Sequence, residues 1–178
     1  MSIASELIKL LQHHQPADAE ERDNVQQTLR FLADKSDPLN RNDFTPGHAV
    51  GSALITDPEH RHVMMVMHAK LKRWLQPGGH ADLGETDLLT VACREAWEEV
   101  GCRLDAASAR FCDIDVHTVP ARKSEPRHLH FDFRYLFETP VSATRAASDA
   151  LEARWFKLDD AAKLDLDSGL RRMIAKLR

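Results

Sequence analysis

The sequence predicts an α/β fold preceded by a helical extension, and three observations carry that prediction. Stretches at 48–57, 62–69, 111–119, 128–138 and around 153–156 have the apolar content or two-residue alternation of strands. Stretches at 4–14, 17–35, 89–100 and 168–176 have the three-to-four-residue spacing of amphipathic helices. Strands and helices interleave after residue 45, as they do where helices cover a sheet, whereas the first two helices stand together ahead of every strand.

Taken in order, residues 4–14 place Leu7, Ile8, Leu10 and Leu11 on a helical stripe that Pro16 interrupts. Asp18, Glu20 and Glu21 favour the first turn of a second helix through the helix dipole, and Val25, Leu29, Leu32 and Phe31 form its apolar face. A hairpin of two such helices cannot bury its stripe alone. It is expected to pack on the main domain or on a second copy of the chain, so a homodimer formed through it stands as an alternative to internal packing. Asp37-Pro38 and Pro46-Gly47 punctuate the link, dividing the chain into a hairpin over 1–44 and a main domain over 45–178.

The first strand, 48–57, ends at the Asp57-Pro58 turn. The second carries the run Val63-Met64-Met65-Val66-Met67, which implies burial on both faces, with the methionines as core filling. The two could pair as a hairpin or lie parallel. Residues 70–73 form a basic turn, and Trp74 to His80 lead into the next helix. Over 128–138, His128, His130, Asp132 and Arg134 alternate with Leu129, Phe131, Phe133 and Tyr135, predicting one polar, histidine-bearing face and one apolar face. A last amphipathic helix over 168–176 closes the chain.

The most informative stretch is 78–102, GGHADLGETDLLTVACREAWEEVGC. On a helix, Glu95, Glu98 and Glu99 stand at i, i+3 and i+4 and share one face. Three carboxylates so close repel one another, a cost that a hard divalent cation between them removes. The opposite face is expected to dock on the sheet through Leu89, Ala92, Cys93, Ala96 and Val100. Gly101 suits the left-handed position that ends a helix, and Gly78-Gly79 allow a ligand to approach the main chain closely.

This stretch resembles the signature of the Nudix hydrolases, G-x5-E-x7-R-E-U-x-E-E-x-G-U, where U is a bulky apolar residue. Gly79 and Glu85 match its first half; Arg94, Glu95, Glu98, Glu99 and Gly101 match its second. Eight residues rather than seven separate Glu85 from Arg94, and Ala96 and Cys102 are small for the U positions. The extra residue is expected near Thr86-Asp87, ahead of the helix, which leaves the glutamate spacing intact and the role of Glu85 open. The resemblance implies an α/β/α sandwich with a mixed sheet. It also implies Mg²⁺ or Mn²⁺ held by Glu95, Glu98, Glu99 and the Gly79 carbonyl, with Arg94 orienting Glu98. The implied reaction is hydrolysis of a phosphoanhydride in a nucleoside diphosphate linked to another moiety: a nucleotide sugar, an ADP-ribose-like compound or a nucleoside triphosphate. In the family the general base is sometimes a glutamate on a distant loop, for which Glu125 and Glu152 are candidates.

Two other classes bear on this reading. Isopentenyl diphosphate isomerase shares the fold, but its catalytic cysteine lies in an Asn-x-x-Cys-Ser-His-Pro context that none of Cys93, Cys102 and Cys112 has. A Nudix-fold binding or regulatory module without turnover tends to lose glutamates that this chain keeps.

Composition narrows the remainder. With 43% hydrophobic and 29% charged residues, the 178-residue chain can fill a core, and a net charge of −4 gives no general attraction to nucleic acid. Three irregularly spaced cysteines form neither a disulfide framework nor a CxxC pair, and no stretch approaches a membrane span or a cleavable leader. A soluble, cytoplasmic protein is expected. An anionic substrate then needs local positive charge, for which Arg122, Lys123 and Arg127 in the 120–127 loop are candidates. His80, His117, His128 and His130 gather near the glycine loop in the predicted order of elements, and His80 and His130 are candidate substrate contacts. A zinc site is disfavoured because the His-x-His pair lacks a third ligand at an evident spacing.

Overall fold

The computed structural model describes residues 2–122, 125–148 and 150–178. In chain order it contains α1 (Ile3–His13), α2 (Ala19–Ala33), β1 (Gly47–Thr56), β2 (His62–His68), β3 (Trp74–Leu75), β4 (Gly78–His80) and α3 (Leu88–Val100). Then come β5 (Arg110–Val119), β6 (His128–Glu138), β7 (Ala150–Lys157), α4 (Leu158–Ala161) and α5 (Ser168–Lys176).

The strands form one mixed sheet. β1 and β6 run parallel from Gly47 opposite Leu129 to Thr56 opposite Glu138, and β5 adds antiparallel to β6. β1 pairs antiparallel with β4 near its start and with β2 at its end, which makes β1 and β2 a hairpin rather than parallel neighbours. β2 in turn carries β3 and β7. Alternate residues of the long strands face two different cores. Ala49, Ala53, Ile55, Phe131 and Phe133 join Leu88, Val91, Ala96 and Val100 of α3 and Leu7, Leu11, Val25 and Phe31 of α1 and α2. Leu54, Val63, Met65 and Leu136 join Leu158, Leu170, Met173 and Ile174 of α4 and α5. The result is the expected helix–sheet–helix sandwich.

The apolar stripe of the N-terminal hairpin is taken up by the chain's own sheet. Phe31 stacks on Phe131 with ring centroids 3.9 Å apart, and the Asn24 amide donates to the Ile114 carbonyl at 3.3 Å. No helix of the described residues is long and apolar enough to cross a membrane.

One expectation needs correction. The buried stripe of α3 is Leu88, Val91, Ala92, Ala96 and Val100, with Leu89 and Cys93 only partly covered. Asp87 caps the helix, so it begins at Leu88, and the i, i+4 row Val91–Glu95–Glu99 runs beside the row Leu88–Ala92–Ala96–Val100. Glu99 is therefore buried at the docking face instead of standing opposite it.

The polar face of β6 is buried as deeply as the apolar one. Arg134, 2% exposed, donates from Nε to Asp132 at 2.7 Å and reaches Asp115 at 3.3 Å. Ser52 Oγ donates to Asp132 at 2.7 Å. From α5, Arg172 makes two bonds to Asp113, at 2.8 and 2.9 Å, and Lys176 bridges Asp113 at 2.8 Å and Glu21 of α2 at 2.6 Å. Alternation signals a polar face, but it cannot tell water from counter-ions delivered by distant helices.

Glu21 is fully buried, and burial by itself raises its pKa; hydrogen bonds from His14, Lys176 and the Ala17 amide outweigh that and pull it from 4.5 to about 2. A folded-state pKa below the unfolded one stabilises the fold above pH 4.5, and this stabilisation is lost as pH falls toward 2. Thermal melts across that interval should therefore show a falling Tm, and Glu21→Gln should melt lower at pH 7 and with a shallower acid limb; an unchanged acid limb contradicts the pairing.

Candidate active site

Loop and helix act as one unit because both ends of α3 are tied. Asp87 accepts from the Leu89 amide at 3.2 Å, from the Thr90 amide at 3.1 Å and from the Thr90 hydroxyl at 2.8 Å. At the other end Gly101 adopts φ 70°, where its amide reaches the Trp97 carbonyl at 3.0 Å and the Cys102 amide reaches Ala96 at 3.2 Å. Residues 84–87 lie ahead of the helix, so the extra residue is absorbed before the first turn.

Arg94 is the hub of the site. Its Nε and Nη2 donate to the two oxygens of Glu85, each at 3.0 Å, and Nη2 also donates to the His80 carbonyl at 2.8 Å. Nη1 donates to Glu95 at 2.9 Å and to Glu98 at 3.2 Å, while Asp82 stands 3.7 Å from Nε. The planar fork of a guanidinium makes this possible, and the ammonium of lysine could not match it. The open question about Glu85 has a geometric answer: despite the altered spacing it makes a two-pronged bond to Arg94, which holds its carboxyl below the usual range.

The glutamates differ in environment. Glu99 is buried and accepts from the Gly78 amide at 3.2 Å. Glu95 is largely buried; desolvation pushes its pKa up, Arg94 pulls it down, and the charges of Glu98 and Asp82 push it up again. The Glu98 side chain is 44% exposed. Gly79 lies so close to Glu95 that a Cβ on it would come within 2.3 Å of the Glu95 carboxylate oxygen, so a larger residue here would push that carboxylate out of its present position. Glycine backbone against paired carboxylates is a hard, oxygen-only donor set, and it suits Mg²⁺ or Mn²⁺. Asn40, Arg41 and Asn42 face Asp82 and Glu85 across a cavity of about 200 Å³ beside the loop. Nothing in the spacing of 40–42 marks that turn as part of a site.

The other candidates lie elsewhere. Arg122 and Arg127 are exposed; Arg127 donates to the Thr118 hydroxyl at 3.2 Å, and the Arg122 amide donates to the Glu125 carbonyl at 2.8 Å. Lys123 lies outside the described residues. Glu152 pairs with Arg154. His80 and His130 meet at 3.2 Å between their Nε2 atoms, His128 and His130 at 3.3 Å, and His117 is 5.4 Å from His130 between ring centroids. Burial lowers the pKa of His48 and His130, and takes that of His80 to about 3. His48, absent from the sequence candidates, joins them because β1 and β6 pair with His48 opposite His130. No local signal announces a contact made by strand register.

The model of the NUDIX domain matches residues 45–177. The chain belongs to the Nudix family. A probable DHNTP pyrophosphohydrolase of Lactococcus lactis subsp. cremoris is 29% identical over 122 residues, 67% of this chain and 71% of that protein. The E. coli dihydroneopterin triphosphate pyrophosphohydrolase structure is 17% identical at a TM-score of 0.59, covering 72% of this chain and 92% of its own. The NUDIX domain of Shewanella oneidensis NrtR, complexed with ADP ribose, is 16% identical at a TM-score of 0.53, covering 72% and 85%. The fold is thus that of the Nudix proteins.

Arg94 touches the carboxylates of Glu85, Glu95 and Glu98, so an ion held by these glutamates would depend on it for their orientation. Arg94→Lys should keep the far-ultraviolet dichroism of the wild type but weaken Mn²⁺ binding by about 10- to 100-fold in calorimetric titration, the usual cost of losing a group that orients metal ligands. Unchanged Mn²⁺ affinity would show that the clamp does not set the carboxylates.

Proposed function

We propose that this Nudix enzyme hydrolyses a phosphoanhydride bond in a nucleoside diphosphate linked to another moiety, with Mg²⁺ or Mn²⁺ held by Glu95, Glu98, Glu99 and the Gly79 carbonyl. The observation that carries the proposal is the Arg94 clamp, which fixes Glu95 and Glu98 while the glycine strand lies against Glu95 and Glu99. When bound, the ion supplies charge neutralisation at the phosphate oxygens and acidifies water. The chain's own contribution is alignment. The short β4 strand and its bonds to β1 hold the glycine backbone still, and Arg94 prevents the carboxylates from turning away from one another. Glu95 and Glu99 are the principal ligands on this reading, and Glu98, the exposed member of the three, serves as a further ligand or as the base that accepts a proton from attacking water. Glu125 and Glu152 remain alternative bases on this reading.

The substrate enters from the side of the 40–42 turn, where Arg41 offers positive charge beside otherwise acidic loop residues, and Arg122 and Arg127 supply charge for a more distant group. The net charge of −4 argues against nucleic acid as substrate. A triphosphate ester such as dihydroneopterin triphosphate is the second reading, favoured by the name of the Lactococcus relative.

A panel of ADP-ribose, nucleotide sugars, nucleoside triphosphates and dihydroneopterin triphosphate, assayed with Mg²⁺, separates the readings by product. Two monophosphates mark a diphosphate-linked substrate, and pyrophosphate with one monophosphate marks a triphosphate. Glu99→Gln should lower kcat on the preferred substrate at least about a hundredfold with the fold retained; wild-type kcat in that variant would overturn the site assignment.

A further inference from the structure

We propose that His48, His128 and His130 form a second metal site, built for a zinc-like transition ion and separate from the glutamate site. Each residue offers a nitrogen, and the three nitrogens lie within 4.8 Å of one another. Among the described residues this is the one such trio of histidine, cysteine or carboxylate ligands.

The orientation of the rings is set from behind. His48 Nδ1 lies 3.0 Å from the Asp43 carbonyl, and His128 Nδ1 lies 2.8 Å from the Pro126 carbonyl. A carbonyl only accepts, so both Nδ1 atoms carry protons, and in the neutral rings both Nε2 atoms present lone pairs. Metal-binding histidines are commonly held in this way, by a backbone carbonyl at the other nitrogen. His48 is 1% exposed, and its Nε2 has no hydrogen-bond partner among the described residues. A buried acceptor left without a partner is destabilising, which calls for an explanation.

Hydrogen bonds within the cluster cannot supply one. His130 Nε2 stands 3.3 Å from His128 Nε2 and 3.2 Å from His80 Nε2. A single proton on His130 cannot point at both neighbours, and none is left for His48. A cation resolves all of these lone pairs together. Two nitrogens on a tetrahedral zinc at ~2.0–2.1 Å are separated by roughly 3.3–3.4 Å, close to the 3.3 Å between His128 and His130, and His48 offers its nitrogen within 4.8 Å of both.

The two sites differ in place and in chemistry. On β4, Gly79 faces Glu95, whereas a Cβ on Gly78 would meet Ser52 Oγ, on the face that also carries Asp132 and His130. His80 shares the Gly78 side, so the histidines and the Gly79–Glu95 cradle lie on opposite faces of this strand. Neutral imidazoles suit Zn²⁺ and its neighbours, while oxygen donors suit Mg²⁺. An ion among the histidines ties β1 to β6, with His80 on the neighbouring β4 strand 3.2 Å from His130. His130 is then an ion ligand rather than a direct substrate contact.

The test uses tag-free protein, stripped with a chelator and titrated calorimetrically with Zn²⁺ in excess Mg²⁺. One equivalent should bind, His130→Gln should weaken binding at least a hundredfold, and Glu95→Gln should bind as the wild type does. X-ray absorption on zinc-loaded wild type should show an imidazole-nitrogen first shell, which keeps the test decisive if His130→Gln does not fold. Absence of stoichiometric zinc, zinc lost in Glu95→Gln but kept in His130→Gln, or a shell dominated by oxygen would each overturn the proposal.

Discussion

The parallel pairing of β1 with β6 is the constraint on which the rest of this structure depends. It fixes ten residues of β1 against ten of β6, and β1 then receives β4 near its start and β2 at its end. Through β4 it places Gly79 against Glu95; through its own alternate residues it sets Ser52 beside Asp132 and His48 beside His130. Because side chains alternate with a period of two, a slip of one residue would move the histidines into the α3 core and the alanines into the ionic layer. Both proposed metal sites therefore follow from one register.

Two arginines organise charge on opposite sides of that sheet. Arg94 gathers Glu85, Glu95 and Glu98 at the edge, where partial exposure leaves them available to a cation. Arg134 gathers Asp132, Asp115 and Asp113 in the interior, and α5 supplies Arg172 and Lys176 to balance them. Buried pairs of this kind contribute little net stability once desolvation is counted, but removing one partner strands the others at a cost of about 3–5 kcal/mol. The network thus specifies how α2, β5, β6 and α5 fit together more than it strengthens the fold. It also explains why the N-terminal hairpin is seated on this domain, since Glu21 and Asn24 reach into the same layer as Phe31 reaches into the apolar one.

What the sequence disclosed and what it withheld divide by range. The glutamate face, the glycine that ends α3 and the alternation of β6 are all set by spacings within one element, so they were readable. The stripe of α3 was misjudged by one row because the start of the helix rests on Asp87, and that shift carried Glu99 into the buried face. The irregular interval between Glu85 and Arg94 leaves the role of Glu85 open in the sequence, and loop geometry supplies the bond between them. His48 was invisible because only strand pairing brings it to His130, and the same ignorance of pairing disfavoured a zinc site for want of a third ligand. Alternation reveals the polar face of β6 but not its burial, since the charges that meet it and its β5 neighbours come from α2 and α5 at opposite ends of the chain.

The central claim is that the Arg94-clamped glutamates and the Gly79 carbonyl, and not the histidines, form the site for the hard catalytic cation. A crystal structure of the protein soaked with Mn²⁺ and examined by anomalous scattering tests it most directly. The account predicts a manganese peak within coordination distance of Glu95, Glu99 and the Gly79 carbonyl oxygen, on the α3 side of β4. A peak among His48, His128 and His130 with none at the glutamates would contradict it.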